Sequence, residues 1–128
     1  MAERTYPAPL VDPTTQPFWD AARRGELLIG LCRETGMHFW YPRAISPFTL
    51  STDVELVPAK GTGLVYSYTV MRTAQPYIPA YVELDEGPRL FTNIVDCAPE
   101  AVRIGMRVRV AFRATEADGP PVPVFRPE

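Results

Sequence analysis

The sequence predicts a mostly β protein: a small closed barrel of five strands, preceded by a short helix and a pair of knuckle-like turns. Three observations carry this. Gly61-Thr62-Gly63 runs directly into the β-branched and aromatic stretch Leu64–Arg72, a loop feeding a strand. Residues 106–113 alternate Met, Val, Val and Phe with Arg, Arg, Ala and Arg, a half-buried strand. The 15 prolines gather at the two ends and ahead of strands, where they act as rigid connectors. A chain of 128 residues makes one domain, or one with a small addition, and buries enough core to fold without disulfides.

Residues 1–14, with Pro7, Pro9 and Pro13, read as an extended, poorly ordered arm. Thr15 offers a cap, Pro17 suits a first helical turn and Gly25 supplies a left-handed stop, so a short helix lies between them. Phe18, Trp19 and Ala22 are its expected buried residues. Two turns of helix do not hold themselves together in water, so this one must dock. Leu27–Cys32 reads as a strand. Arg33–Gly36 and Ser46–Thr49 are knuckle-like turns about ten residues apart, with the aromatic run Phe39-Trp40-Tyr41 between them. A polar strand over 52–57 and a connector through Lys60 complete a unit spanning residues 15–60. So small a unit normally needs a staple such as a metal.

From Gly61 to the end, residues 61–128, the barrel follows. Its first strand places Val65, Ser67, Thr69 and Met71 on one face and Tyr66, Tyr68, Val70 and Arg72 on the other. The pattern leaves open which face is buried. Gln75–Pro79 reads as a rigid loop, and strands at 81–84 and 89–96 are joined by the hairpin turn Asp85-Glu86-Gly87-Pro88. A short helix-like turn over 97–105 leads into the strand 106–113, with Met106, Val108, Val110 and Phe112 expected inside and Arg107, Arg109 and Arg113 in water. Ala117–Pro120 is a turn. The last strand, 122–126, is flanked by prolines and is expected at a sheet edge. Five strands with one helical turn before the fourth describe an oligonucleotide/oligosaccharide-binding (OB) barrel.

Chemistry-bearing residues are few. His38 is the only histidine, so no Ser/His/Asp or Cys/His set can be built without it. Cys97, between a strand and a turn, reads as an inert thiol. Gly61-x-Gly63 lacks the rest of a phosphate-binding fingerprint. A formal net charge of −2 and a pI near 5.4 argue against a nucleic-acid partner. No apolar run approaches a membrane span, no basic-then-apolar leader opens the chain, and two cysteines make no disulfide framework. A cytoplasmic protein without a membrane partner is the expectation.

Several stretches together resemble a known family. These are Pro17-Phe18-Trp19 with Gly25-Glu26-Leu27, then Cys32–Gly36, Tyr41-Pro42-Arg43 and Gly61–Val70. Val82–Arg89, Ile104–Val108 and Pro123–Pro127 follow in order. Over roughly residues 16–127 the chain is similar to the acyl-CoA-associated family that joins a rubredoxin-like zinc ribbon to an OB fold, long catalogued as domain of unknown function thirty-five. In that family two Cys-x-x-Cys knuckles hold the metal. Here the four positions read Cys32, Thr35, Ser46 and Thr49, and a neutral hydroxyl is a poor zinc ligand at pH 7. The expectation is a degenerate, metal-free ribbon held by Phe39, Trp40, Tyr41 and Phe48, each burying ~2 kcal/mol.

The resemblance implies a non-catalytic accessory subunit that docks on a thiolase-superfamily enzyme, a thiolase or lipid-transfer-like aldolase, and helps bind or channel an acyl-CoA of lipid, steroid or polyketide type. Coenzyme A thioesters are then the implied ligand, with no resident cofactor. Candidate contacts, to coenzyme A, to the enzyme or to a second copy in a homodimer, are Phe18, Trp19, Arg43, Tyr66, Tyr68, Arg72, Tyr77, Phe125 and Arg126. Aromatic and arginine side chains anchor interfaces, and the arginine fork suits phosphate or carboxylate. Two alternatives belong to other classes. Single-strand nucleic-acid binding would use Tyr66 and Tyr68 as stacking platforms. A stand-alone CoA-thioester enzyme would need a nucleophile or base that the sequence does not offer.

Overall fold

In the computed structural model, which describes residues 5–128, one helix and eight strands form two units on a shared core. Residues 1–4 of the expected arm lie outside the described residues. The helix α1 spans Gln16–Arg23. Thr15 occupies the N-cap, but its hydroxyl does not cap the helix. The hydroxyl turns back instead and accepts from Asp12 N–H at 3.1 Å, while the Asp12 carbonyl accepts from Gln16 N–H at 2.8 Å and its carboxylate from Thr15 N–H at 2.9 Å. The stop is as expected. Gly25 has φ +78, Glu26 N–H reaches Ala21 O and Gly25 N–H reaches Ala22 O, the paired bonds of a Schellman cap. Phe18, Trp19, Ala21 and Ala22 are buried.

Strands β1 (Leu28–Cys32), β2 (His38–Phe39) and β3 (Val54–Pro58) form a three-stranded antiparallel sheet in the order β2-β1-β3. The barrel comprises β4 (Thr62–Tyr68), β5 (Ile78–Leu84), β6 (Arg89–Ile94), β7 (Arg107–Arg113) and β8 (Val122–Pro127). It closes in the order β4-β5-β6-β8-β7, with β7 returning to β4. A one-turn 3-10 helix, Pro99–Ala101, precedes β7 as expected.

Four expectations are corrected. β4 ends at Tyr68 rather than Arg72, and its register shifts between Val65 and Ser67, so Tyr66 is the extra residue of a bulge. The bulge answers the open question of faces: Val65 is fully buried and Tyr66 is exposed, while beyond the bulge Ser67 pairs with the outward Tyr81 and Tyr68 with the inward Ala80. β5 begins at Ile78, so Ile78 and Pro79 belong to a strand rather than a loop, paired with Ile94 and Asn93. β8 is no edge. It lies between β7, with which it pairs over six residues, and β6, which it meets in parallel only at Ile94↔Phe125. Its prolines are tolerated because the β6 side demands so few of its N–H groups. Finally, the arm is tied down within the described residues: Tyr6 is buried, bridges Thr115, and accepts a bond from Glu116 N–H.

A single cluster joins Phe18, Ala21 and Ala22 of α1, Leu28 and Ile29 of β1, and Val65, Val82, Leu90, Val108 and Phe125 of the barrel. At the barrel rim Asp85 accepts two bonds from the Arg107 guanidinium, at 2.9 and 3.1 Å, and a third from the Thr62 hydroxyl. Arg107, then Thr62, lowers the Asp85 pKa from 3.8 to about 2. A depressed carboxylate pKa contributes stability that is fully present above pH 3.8 and disappears as pH falls toward 2. Urea melts between pH 2 and 5 should therefore show acid destabilisation that Asp85→Asn reduces. An unchanged pH profile in that variant would rule the rim interaction out as its source.

Candidate functional site

The outer wall of β4, β5 and β6 carries exposed aromatic rings. Tyr81 and Phe91 are cross-strand partners with ring centroids 5.2 Å apart, 47% and 63% exposed. Beside them the Arg89 guanidinium lies 3.9 Å above the Tyr66 ring and is paired with Glu83. Tyr68, paired with the inward Ala80 rather than with Tyr81, is exposed at the strand end and not on this wall. Tyr66 and Tyr68 are thus at the surface, as candidate contacts must be. Tyr81, Phe91 and Arg89 were not singled out in the sequence. The turn is one residue shorter than the sequence suggests, with Leu84 N–H bonded to Pro88 O; counting outward from that pair sets 81 against 91, both opposite in face to the inward Val82 and Leu90, which is the signal that could have found them.

Three clefts flank this wall. One of about 940 Å³ is lined by Arg72, Tyr77, Ile78, Asn93 and Asp96–Glu100, and brings Arg72 and Tyr77 together with Cys97. Burial raises the pKa of the Cys97 thiol, against the opposing charge of Arg103, so the thiol stays protonated. A second, of about 590 Å³, lies between the small sheet and the β5–β6 turn, lined by His38, Phe39, Trp40, Phe48 and Glu86–Arg89. The third, about 280 Å³ and mostly apolar, lies where α1 meets the barrel wall, with Phe18, Trp19 and Tyr41 facing Phe91, Thr92 and Val124. There the buried Trp19 Nε1–H lacks an acceptor in ordinary hydrogen-bond geometry. It lies by the Tyr41 hydroxyl, whose pKa burial raises and the indole partly offsets.

The remaining candidates separate. Phe18 and Phe125 have no exposed surface and Trp19 has 6%, so all three serve the core. Arg43 is exposed in the loop after β2, Arg72 after β4, and Arg126 on β8; none of the three clefts holds two of them. Arg126 stands directly opposite Arg109 across β7–β8. Among the described residues, neither forms an ion pair, whereas Arg89, Arg107 and Arg113 on the same barrel do. His38 and Cys97 line different clefts, so no nucleophile–base pair is assembled from them.

The four knuckle positions do converge. Cys32 is buried, and the hydroxyls of Ser46, Thr35 and Thr49 surround its thiol, holding its pKa near 7. One thiol and three neutral hydroxyls do not fit zinc, which takes thiolate, imidazole or carboxylate. Among the described residues, no group of three or more His, Cys, Asp or Glu is placed to hold a metal. No helix among them is long and apolar enough to cross a membrane.

A closed five-stranded barrel in this strand order, carrying a small three-stranded sheet, defines an OB-fold protein with an appended ribbon. The chain belongs to the DUF35 family. Residues 19–45 match the family model described as the ChsH2 rubredoxin-like zinc ribbon domain, and 56–113 match the ChsH2 C-terminal OB-fold domain. A DUF35 domain-containing scaffold protein of Methanocaldococcus jannaschii is 37% identical over 110 residues, 79% of this chain and 78% of that one. A probable enoyl-CoA hydratase alpha subunit of Thermomonospora curvata is 38% identical over 94% of this chain, which spans 40% of that longer protein. Among solved structures, a chain of an Ltp2-ChsH2(DUF35) aldolase superposes with a TM-score of 0.80 at 35% identity, covering 93% of this chain and 98% of that one. A DUF35 protein of Sulfolobus solfataricus shares the fold, with a TM-score of 0.67 at 15% identity.

Proposed function

We propose that this protein is a non-catalytic accessory subunit that docks on a thiolase-superfamily enzyme, of the thiolase or lipid-transfer-like aldolase kind, and helps bind or channel its acyl-CoA substrate. The observation that carries the reading is the near full-length likeness, at 35% identity, to a chain of an Ltp2-ChsH2(DUF35) aldolase. It is supported by the separation of His38 from Cys97, which line different clefts, so that among the described residues these two do not assemble a nucleophile–base pair. The wall of Tyr66, Tyr81 and Phe91 supplies aromatic anchors for a partner. Arg43, Arg72 and Arg126 form no ion pair among the described residues and supply cations suited to coenzyme A phosphates or to an acidic partner surface.

Co-expression with an Ltp2-type subunit followed by size-exclusion chromatography tests the reading. A stable complex is expected, with thioester chemistry in the complex and none in the isolated chain. Replacing Arg43, Arg72 and Arg126 together by alanine should weaken association by ~1–3 kcal/mol while circular dichroism stays unchanged. Turnover by the isolated chain that vanishes in His38→Ala or Cys97→Ala would instead make it an enzyme. Unaltered affinity in the triple variant would move the contact to other residues.

A further inference from the structure

The two turns that bring Cys32, Thr35, Ser46 and Thr49 together are the same object built twice. In the first, Gly36 N–H bonds to Cys32 O at 2.7 Å and Cys32 N–H to Met37 O at 2.9 Å. In the second, Leu50 N–H bonds to Ser46 O at 3.0 Å and Ser46 N–H to Ser51 O at 2.8 Å. The offsets are identical. In each turn the fourth residue is a threonine whose Oγ1 accepts from the backbone N–H two residues on, Met37 or Ser51, both at 3.2 Å. In the second turn the first side chain also accepts from the backbone N–H of the fourth, Ser46 Oγ from Thr49 at 3.3 Å. The fifth residue is left-handed in both, Gly36 at φ +74 and Leu50 at φ +65.

Leucine in that conformation costs roughly 1–2 kcal/mol, so the second turn keeps its shape against its own sequence. What the turns enclose has changed. Cys32 Sγ lies 3.9 Å from Thr49 Oγ1, within reach of a weak thiol–hydroxyl bond between the two turns, and Ser46 and Thr35 lie beside it. Cys32 and Ser46 have no exposed surface. Two matched turns therefore draw four side chains together, Cys32 and Ser46 buried and Thr35 and Thr49 on the exposed side, the frame of a metal knuckle with three of four donors unsuited to the metal.

We propose that this cluster is a metal-free replacement for the ribbon's zinc, in which the buried Cys32 thiol, packed against the hydroxyls of the second turn, ties the two turns together inside a matched backbone frame. The proposal is independent of the docking reading. Two consequences separate it from a merely damaged site. The native fold stands without metal, and the frame still draws four side chains together, so returning the thiols returns the metal.

The test uses the full chain and the variant Thr35→Cys/Ser46→Cys/Thr49→Cys, with zinc and cobalt as probes. Native protein purified in the presence of zinc is expected to carry well under one zinc per chain by elemental analysis, with the same melting temperature with and without chelator. The triple variant is expected to take one cobalt per chain, with thiolate-to-cobalt charge-transfer absorption, and to melt lower once chelated. If it folds only with metal present, that dependence is the same result. Ser46→Ala in the native background, which removes the hydroxyl facing Cys32, should lower the melting temperature by several degrees and leave metal content unchanged. Near one zinc per native chain with chelator-sensitive melting would overturn the proposal. A folded triple variant that takes no cobalt, or a Ser46→Ala protein that melts with the native, would overturn it equally.

Discussion

Phe18→Ala is expected to destabilise this protein by about 3–5 kcal/mol, the cost of a large cavity at a site that cannot collapse. Phe18 has no exposed surface and is ringed by aromatics: Trp19 at 4.8 Å and 88°, Trp40 at 5.3 Å, and Tyr41 at 5.9 Å between centroids. Two of these come from the stretch after β2, so the side chain joins the helix, the ribbon and the barrel core in one contact set. A two-turn helix has no stability of its own to fall back on. Urea melts followed by circular dichroism measure the loss. Phe91→Ala, at an exposed ring, is the control and should cost less than about 1 kcal/mol. A Phe18→Ala protein as stable as that control would mean that the helix is held elsewhere.

The second large effect is expected at Gly63, for a steric reason. A Cβ there would lie 2.3 Å from the carbonyl oxygen of Glu83 and 3.0 Å from Leu84 Cα, both backbone atoms of the paired strand. No side-chain rotation relieves that contact; β4 and β5 would have to part, while β7 holds Gly63 from the other side through Val108. Gly63→Val should cost at least about 3 kcal/mol, beyond ordinary overpacking. Gly25→Ala, where a Cβ meets nothing within 4 Å, should cost only the left-handed penalty of about 1–2 kcal/mol. Equal losses at the two positions would show that the strand pair yields easily.

These two residues show how much of the fold could be read from the chain. Phe18 was legible as a buried helix residue because Thr15, Pro17 and Gly25 bracket a short helix that must dock through its apolar residues. The same apolar character that marks a core residue also marks a docking residue, and Phe18, Trp19 and Phe125 fall on the core side only because the barrel and helix close over them. The expectation of an edge for β8 rested on a local rule about proline. Whether a strand has a free side depends on which distant strand arrives, and here β6 takes a single pairing position. Helix capping erred for a similar reason: Thr15 stands at the N-cap with the right chemistry, but its hydroxyl accepts from Asp12 N–H instead, and Pro17 has no N–H to offer it. The knuckles were legible from spacing. Their duplication was not, because Cys32-Arg33-Glu34-Thr35 and Ser46-Pro47-Phe48-Thr49 share one residue type, and the repeat lives in backbone bonds that many sequences satisfy.

The late position of β8 in a closed barrel also bears on how the chain comes to be folded. While it is being synthesised, at ~5–20 residues per second, β4, β5 and β6 emerge as an open meander whose last strand has no neighbour on one side. The closing staple between β6 and β7 is the last strand made, and until it arrives the inward row Thr92 and Ile94 and the outward ring of Phe91 share one unpaired margin. Such a margin pairs readily with another nascent copy. Slow or stalled synthesis across residues 95–121 is therefore the period in which this protein is most exposed to aggregation, and a chaperone or a waiting partner subunit would act there to greatest effect.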